Sequence, residues 1–434
     1  MDDRRSGARR AWARGLSPFS LRAFRILWIG HAVSAAGGGM TRIALVFSIL
    51  AVGGSVTDIG LVMAGQVGTQ VVFTLVGGVW ADRLRRELVM LTSDLVRAAV
   101  QVVLAVLLLT GHAEVWHLAG GSIVFGAALA FFGPASSGLI AEIVPPEQLQ
   151  RANALMSSCY SFFNVVSPAV AGLAIALVGP GLVLLLDAVT FVVSAVSLMM
   201  LRLEPRTIPA PGSFWADLRA GWAELAARPW LCFNLVVHTF QNLAVVAYFV
   251  LGPAIANDSL GGPSAWGFIA SGFAAGAVAG GIVALRVEPG RPLVAGNLAL
   301  ILTAMPLLAL AVPLPLWAIV VAAFISGTGD MFLDAVWRAS MQQLIPGPVL
   351  ARVDSYDWLI STVAAPIGLA LVGPLAGATS NTSTLLLAAA MIVIPCALTA
   401  LVPGIRAVRR LPDGRVVGPR QGVVDAPQAQ PVAD

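Results

Sequence analysis

Lysine is missing altogether from these 434 residues, so all 26 basic side chains are arginines. That absence excludes a phosphate-cradling GxxxxGK[ST] loop, and with it built-in ATP hydrolysis of that type. It also excludes a Schiff-base lysine. Charge of either sign is scarce, at 11% of residues, where a soluble domain carries roughly 25%. Cysteine is nearly absent too. Cys159, Cys232 and Cys396 all sit inside apolar runs, where they read as packing residues rather than a disulfide or metal framework. The four histidines are scattered, with no HExxH spacing. No nucleophile–base pair or metal constellation emerges, so no catalytic residue, metal or cofactor is expected and an enzyme is disfavoured.

What the chain has in abundance is apolar sequence, 58% hydrophobic residues with mean hydropathy +0.87. A polytopic α-helical membrane protein follows. Twelve segments approach the ~20 residues a bilayer requires: 24–50, 59–79, 88–110, 115–140, 152–178, 182–201, 230–255, 265–285, 293–312, 316–341, 356–375 and 383–402. The charges between them alternate. Connections after even-numbered segments carry Arg83, Arg85, Arg86, Arg151, Arg202, Arg206, Arg219, Arg228, Arg286, Arg291 and Arg352. Those after odd-numbered segments carry no arginine, only acids such as Asp58, Glu114 and Asp258. The positive-inside rule then places both termini in the cytoplasm. The net charge of +4 follows this topology, so the expected partner is the lipid bilayer and not nucleic acid.

Five regions result. Residues 1–23 form an Arg-rich cytoplasmic tail, too charged and followed by too long an apolar run for a cleavable signal. Residues 24–203 and 230–403 form two six-helix bundles. Residues 204–229 form a cytoplasmic linker, with Trp215, Leu218, Trp222 and Leu225 on one side of an interfacial amphipathic helix. Residues 404–434, rich in Arg, Pro, Gly and Gln, read as a disordered cytoplasmic tail. The bundles echo each other. Pro145, Leu149 and Arg151 recur as Pro346, Leu350 and Arg352, and the LVGP at 177–180 recurs at 371–374. Six spans separate the equivalents, so the repeat is parallel, about an axis along the membrane normal. A substrate site between the halves near the midplane follows.

The stretch GGVWADRLRR, residues 77–86, joins the second and third spans. Such a knot of charge must lie outside the hydrocarbon. Gly78, Asp82, Arg83 and Arg86 resemble the loop signature between helices 2 and 3 of the major facilitator superfamily. Arg85 stands where that signature has a glycine, and Glu87 where a second base is common. Phe24-Arg25-x-Leu27-Trp28, Ser93-Asp94-Leu95-Val96-Arg97, Phe132-Gly133-Pro134-Ala135, Arg151-Ala152-Asn153-Ala154-Leu155, Leu186-Asp187-Ala188 and Arg352 extend the likeness along nearly the whole chain. Within the superfamily it is similar to the drug-exporter branch of enterobactin-type exporters and macrolide efflux proteins, the transmembrane secretion effector group. The resemblance implies twelve transmembrane helices in two parallel six-helix pseudo-repeats, alternating access, and residence in a bacterial inner membrane. It also implies that Asp82, with Arg83 and Arg86, latches the halves against the start of the eleventh helix. The branch's export signature in the fifth span reads Ser167-Pro168-Ala169-Val170-Ala171-Gly172, with serine for the first glycine. The fourth span lacks the arginine that some proton-coupled exporters carry there.

A charge at the centre of a membrane helix costs ~2.5–3.5 kcal/mol on insertion scales, so each one matters. Asp330, Asp334 and Arg338 recur at i, i+4 and i+8 in the tenth span and share a face. Either Asp330 exchanges a coupling proton, or the three form a structural ladder. Arg42 in the first span either meets an anionic substrate or pairs with Asp58. Asp94 and Arg97 read as a structural pair linked to Arg83 and Arg86, and Asp187 as a structural hydrogen-bonding acid. His31, Asn164, His238, Gln241 and Asn242 are candidates for the substrate cavity, with ordinary interhelical hydrogen bonds the other reading.

These readings converge on a monomeric secondary exporter of small amphipathic molecules (a drug, antibiotic or siderophore-like compound) driven by protons. An importer of a nutrient or metallophore, or a membrane sensor, remains the alternative. Sidedness is directly testable. A cysteine at Asp58 (Asp58→Cys) should react with a membrane-impermeant maleimide on intact cells, and Arg291→Cys only after permeabilisation; the reverse pattern would overturn the topology.

Overall fold

The computed structural model describes residues 17–81, 85–201, 222–223, 225–312, 314–345 and 347–419, with no side-chain detail at 75–81, 347–352, 354–355 and 358. Eleven helices among these residues are long and apolar enough to cross a membrane. In the amino-terminal half these are α1 (Arg22–Ala51), α2 (Val56–Ala81), α3 (Arg86–Leu109), α4 (Val115–Ile143) and α5 (Leu149–Met199). The carboxy-terminal half begins with α6 (Pro229–Ile255) and α7 (Pro263–Ala284). Its next span is α8 (Pro292–Leu300) and α9 (Met305–Ala311), joined by a 3₁₀ turn, followed by α10 (Leu316–Leu344), α11 (Gly347–Ala378) and α12 (Asn381–Leu398).

With 51 residues, α5 is twice the length a bilayer requires. Gly179 breaks it with φ 79° and ψ 164°, a conformation open chiefly to glycine. The LVGP motif is thus the hairpin between the fifth and sixth spans, and the total is twelve.

Lipid supplies no hydrophobic force between helices, so small residues and polar contacts hold them together. Helix α7 shows this within its half. Gly272, Gly276 and Gly280 sit one turn apart, and any side chain there would run into Val320, Phe324 or Thr328 of α10. Thr328 Oγ1 also donates to the Gly276 carbonyl at 3.1 Å.

The two halves meet along two seams near one end of the molecule. In the first, α5 lies on α7. A Cβ on Gly172 would come within 3.0 Å of the Gly267 Cα, and one on Gly267 within 2.6 Å of the Pro168 carbonyl oxygen. Pro168 interrupts α5, and the next amide, Ala169 N–H, donates across the seam to Ser271 Oγ at 3.0 Å. In the second seam, Gly60 and Thr57 of α2 meet Leu369 and Gly373 of α11. Both seams lie near the α1–α2, α6–α7 and α11–α12 connections.

The expected disordered tail from residue 404 is not what the chain forms at its start. Residues Pro403–Arg406 make a short helix, α13, and β1 (Arg409–Arg410) pairs antiparallel with β2 (Val416–Val417). Gly414 turns this hairpin at φ 85°. Ile405 and Val408 are fully buried. Arg410 N–H donates to the Gly290 carbonyl at 2.9 Å, and Val416 N–H to Gln343 Oε1 at 2.8 Å. The hairpin therefore caps the α7–α8 connection and the end of α10. Residues 420–434 lie outside the described residues. So do residues 1–16 and most of the linker, including Trp215 and Leu218. Of the linker's apolar side, Trp222 is exposed and packs on Tyr356 at 5.8 Å, whereas Leu225 is buried in protein rather than facing lipid.

The first seam is testable. Gly172→Val should separate α5 from α7 and raise the rate at which maleimide labels Thr57→Cys in the second seam. An unchanged rate would show that the seams do not close together.

Candidate functional site

Two groups of buried polar side chains stand out within the spans, one in each half. In the amino-terminal half, Asp94, Arg97 and Gln101 fall at i, i+3 and i+7 of α3, so one face carries all three. They are 0%, 4% and 2% exposed. Arg97 Nη2 donates to Asp94 Oδ1, and Ser194 of α5 stands beside the same carboxylate. Three rings surround the guanidinium, with Phe191 at 4.3 Å, Phe132 at 4.5 Å and Phe125 at 6.0 Å from Arg97 Cζ. Such faces attract a desolvated cation. Asp187 of α5, also 0% exposed, accepts from Thr41 of α1, from Gln101 Nε2 at 2.8 Å and from Thr190 at 3.2 Å. A side chain at Gly37 would overlap Asp187 and Thr190, which explains the glycine there. His31 of α1 lies beside Phe132, ring centroids 6.4 Å apart. Three buried polar atoms of this cluster have no hydrogen-bond partner: His31 Nδ1, Asp94 Oδ2 and Arg97 Nε.

Arg86 does not extend this cluster, contrary to the link expected from sequence. It reaches Glu142 of α4 at 3.2 Å instead, because α3 enters the membrane beside the end of α4. Arg85 pairs with Glu87 at 2.6 Å. Gly78 lies in the last turns of α2, and Asp82 and Arg83 fall outside the described residues.

In the carboxy-terminal half a buried chain of polar groups runs between α6, α8, α10 and α11. Asn234 Nδ2 donates to the Trp230 carbonyl at 2.8 Å, and Asn297 Nδ2 to Asn234 Oδ1 at 2.7 Å. His238, beside Asn297, meets the edge of Trp337 with centroids 4.9 Å apart. Trp337 Nε1 donates to Asp357 Oδ2 at 2.9 Å. Gln241 is buried nearby on α6, and half-buried Asn242 donates to the His238 carbonyl at 3.0 Å. Asn164 of α5 is half-buried.

The three charges of the tenth span do not form one buried ladder. Arg338 Nε donates to both oxygens of Asp334 at 2.9 Å, but the two side chains are 64% and 43% exposed. Asp330 stands half-buried one turn away, outside that pair. Arg42 is exposed on α1, and Asp58 is engaged elsewhere, accepting from Ser55 N–H and Oγ at 2.7 Å as it caps α2. The pairing of Arg42 with Asp58 is therefore not formed. The export signature lies at the first seam. Pro168 and Gly172 face α7, while Ser167, 1% exposed, packs on Gly39 of α1.

Sequence reasoning missed Thr41, Gln101, Asn234, Asn297 and Asp357. Gln101 carried a readable signal, its spacing from Asp94 and Arg97. The others are single polar residues whose partners lie far away in the chain.

A family model of the Major Facilitator Superfamily matches residues 27–355. The chain belongs to that superfamily. Its members are membrane transporters rather than enzymes, and the two parallel six-helix repeats are their fold. Macrolide efflux protein A of Streptococcus pyogenes is 26% identical over 398 residues, covering 89% of this chain and 97% of that protein. Multidrug efflux pump Tap of Mycolicibacterium fortuitum is 26% identical over 391 residues, covering 86% and 93%. Among solved structures, the fold is similar to a bacterial homolog of the human lysosomal transporter Spinster, in an inward-facing and occupied conformation. The TM-score is 0.66 at 15% identity, over 87% of this chain and 95% of that one. The nucleoside transporter NupG gives 0.68 at 13% identity, over 88% and 99%.

Breaking a buried ion pair by removing one partner costs ~3–5 kcal/mol. Arg97→Leu, which strands Asp94 and Asp187, should lose stability on that scale in mixed-micelle unfolding. The double change Asp94→Leu with Arg97→Met should lose less; equal losses would argue that Arg97 acts through packing alone.

Proposed function

We propose that this transporter exports small amphipathic molecules across a bacterial inner membrane, taking up protons in exchange. The observation that carries the reading is similarity over nearly the full length of two proteins named for macrolide and multidrug efflux. The chemistry of the spans agrees with it. Ionisable groups are few there, and Asp94 with Arg97 and Asp334 with Arg338 are paired, which suits a drug-like solute better than a sugar or a nucleotide.

Alternating access supplies the mechanism. The seams α5–α7 and α2–α11 close one end of the molecule, and by the charge pattern of the connections that end is the outer one. Export then requires those seams to part as the opposite end closes. The loop of Gly78, Asp82, Arg83 and Arg86 serves as the inner latch in this scheme, with Asp82 meeting the positive dipole end of α11. The exporter works as a monomer with both termini inside.

Expression in a bacterial host lacking its own drug pumps should raise the inhibitory concentration of erythromycin severalfold and lower its accumulation, and collapsing the proton gradient should abolish both effects. Asp82→Asn, expressed at the same level, should return the cells to the vector control. Greater accumulation in expressing cells would mean import.

A further inference from the structure

Counting charge in the amino-terminal cluster gives an imbalance. Two carboxylates, Asp94 and Asp187, face one guanidinium, Arg97, and all three are at most 4% exposed. Among the described residues, the only ionisable neighbour acting on Arg97 besides these is His31. Helix α4 contributes Phe125 and Phe132 to the site, and α5 contributes Ser194, Thr190 and Phe191, all neutral. With His31 neutral, the cluster carries one negative charge in excess. An uncompensated charge in a low-dielectric interior is costly, and one added proton removes it.

The orphaned atoms say where that proton resides. Both carboxylate oxygens of Asp187 already accept, from Thr41, Gln101 and Thr190. Asp94 Oδ2 and His31 Nδ1, by contrast, are buried without a partner. His31 is the half-buried member of the group. It shares one face of α1 with Gly38 and Arg42, at i, i+7 and i+11, and both of those are exposed. A face with an arginine and a histidine turns to water rather than to lipid.

We propose that His31, Asp94, Arg97 and Asp187 form a binding site for a single exchangeable proton, with His31 as its entry from the cleft. The proton arrives on the imidazole from water and passes to the Asp94 carboxylate. The ring returns to neutrality, the carboxylate becomes an acid, and the cluster's net charge falls to zero. Its departure by the same route restores the excess charge. Because Asp187 is tied to α1 through Thr41, loading and unloading act on the helix that lines the cleft. Such interacting groups titrate as a unit.

This inference rests on the proton-exchange reading above, and the experiment separates the two. Binding of erythromycin to the purified full-length protein is measured by calorimetry in two buffers of different ionisation enthalpy, which gives the protons released per molecule bound. Wild type should release about one proton. Asp94→Asn should release almost none per molecule bound, His31→Gln, which keeps the carboxylate and loses its entry, should release the proton severalfold more slowly when release is followed by stopped flow with a pH dye, and Asp330→Asn should match wild type in both. Normalising to bound probe removes any effect on affinity alone. If Asp94→Asn does not fold, His31→Gln at its half-buried position decides the matter by itself. Undiminished release from Asp94→Asn, or release from His31→Gln at the wild-type rate, would overturn the site while leaving proton exchange intact. Binding without proton release by wild type would overturn both.

Discussion

Hydrocarbon solvates neither a charge nor an unpaired backbone amide, and this constraint organises the whole molecule. It accounts for the exclusion of lysine and of most other charge from the spans, and for the close neighbours of each charge that remains deep inside. Arg97 shows the outcome. Its guanidinium is bonded to Asp94, sandwiched by Phe132 and Phe191, and held within the field of Asp187. A lysine ammonium, compact and strongly hydrated, would not be served by aromatic faces in this way.

The same constraint decides how the halves meet. Helices that must slide past each other in a membrane cannot rely on apolar burial, since lipid is as apolar as leucine. The seams therefore use backbone against backbone, Gly172 on Gly267, and a hydrogen bond from Ala169 to Ser271. Interhelical hydrogen bonds of this kind average ~0.6 kcal/mol. Contacts that weak close an end of the molecule without locking it. Inside the carboxy-terminal half, by contrast, the row of glycines on α7 holds α10 along three turns, as a unit that moves as one body requires.

How much of this was legible depends on whether the signal is local. Spans are local: each is an apolar run, set off from the next by a turn or a charged connection. The hairpin inside α5 was legible because a glycine with positive φ announces itself as LVGP. Pairings between helices are not local. Nothing within the chain near Asp187 says that Thr41 and Gln101 will find it, and nothing near Asn234 names Asn297 63 residues later. The tail misled for a related reason. Arg, Pro and Gly make disorder plausible from composition, but Ile405, Val408 and Val416 had hydrophobic and hydrogen-bonding sites waiting on the end of α10 and the α7–α8 connection.

The two halves descend from one plan, yet they treat their buried histidines differently, and that difference bears on mechanism. Each half places a histidine of its first span beside a side chain from its third, His31 near Arg97 and His238 near Asn297. In the carboxy-terminal half the neighbours are an amide and a tryptophan, Asn297 and Trp337, and the one carboxylate of that chain, Asp357, accepts from Trp337. In the amino-terminal half they are two acids and one arginine, whose balance changes with every proton gained or lost. The exposed acid–arginine pair of α10 is already neutral and bidentate, so a proton there breaks a good pair and gains little. A protein that couples flux to protons needs a group whose protonated and deprotonated forms are close in energy and whose change of charge reaches a moving helix. The amino-terminal cluster meets both conditions: its excess charge makes the proton welcome, its donors make the loss bearable, and Thr41 carries the change into α1.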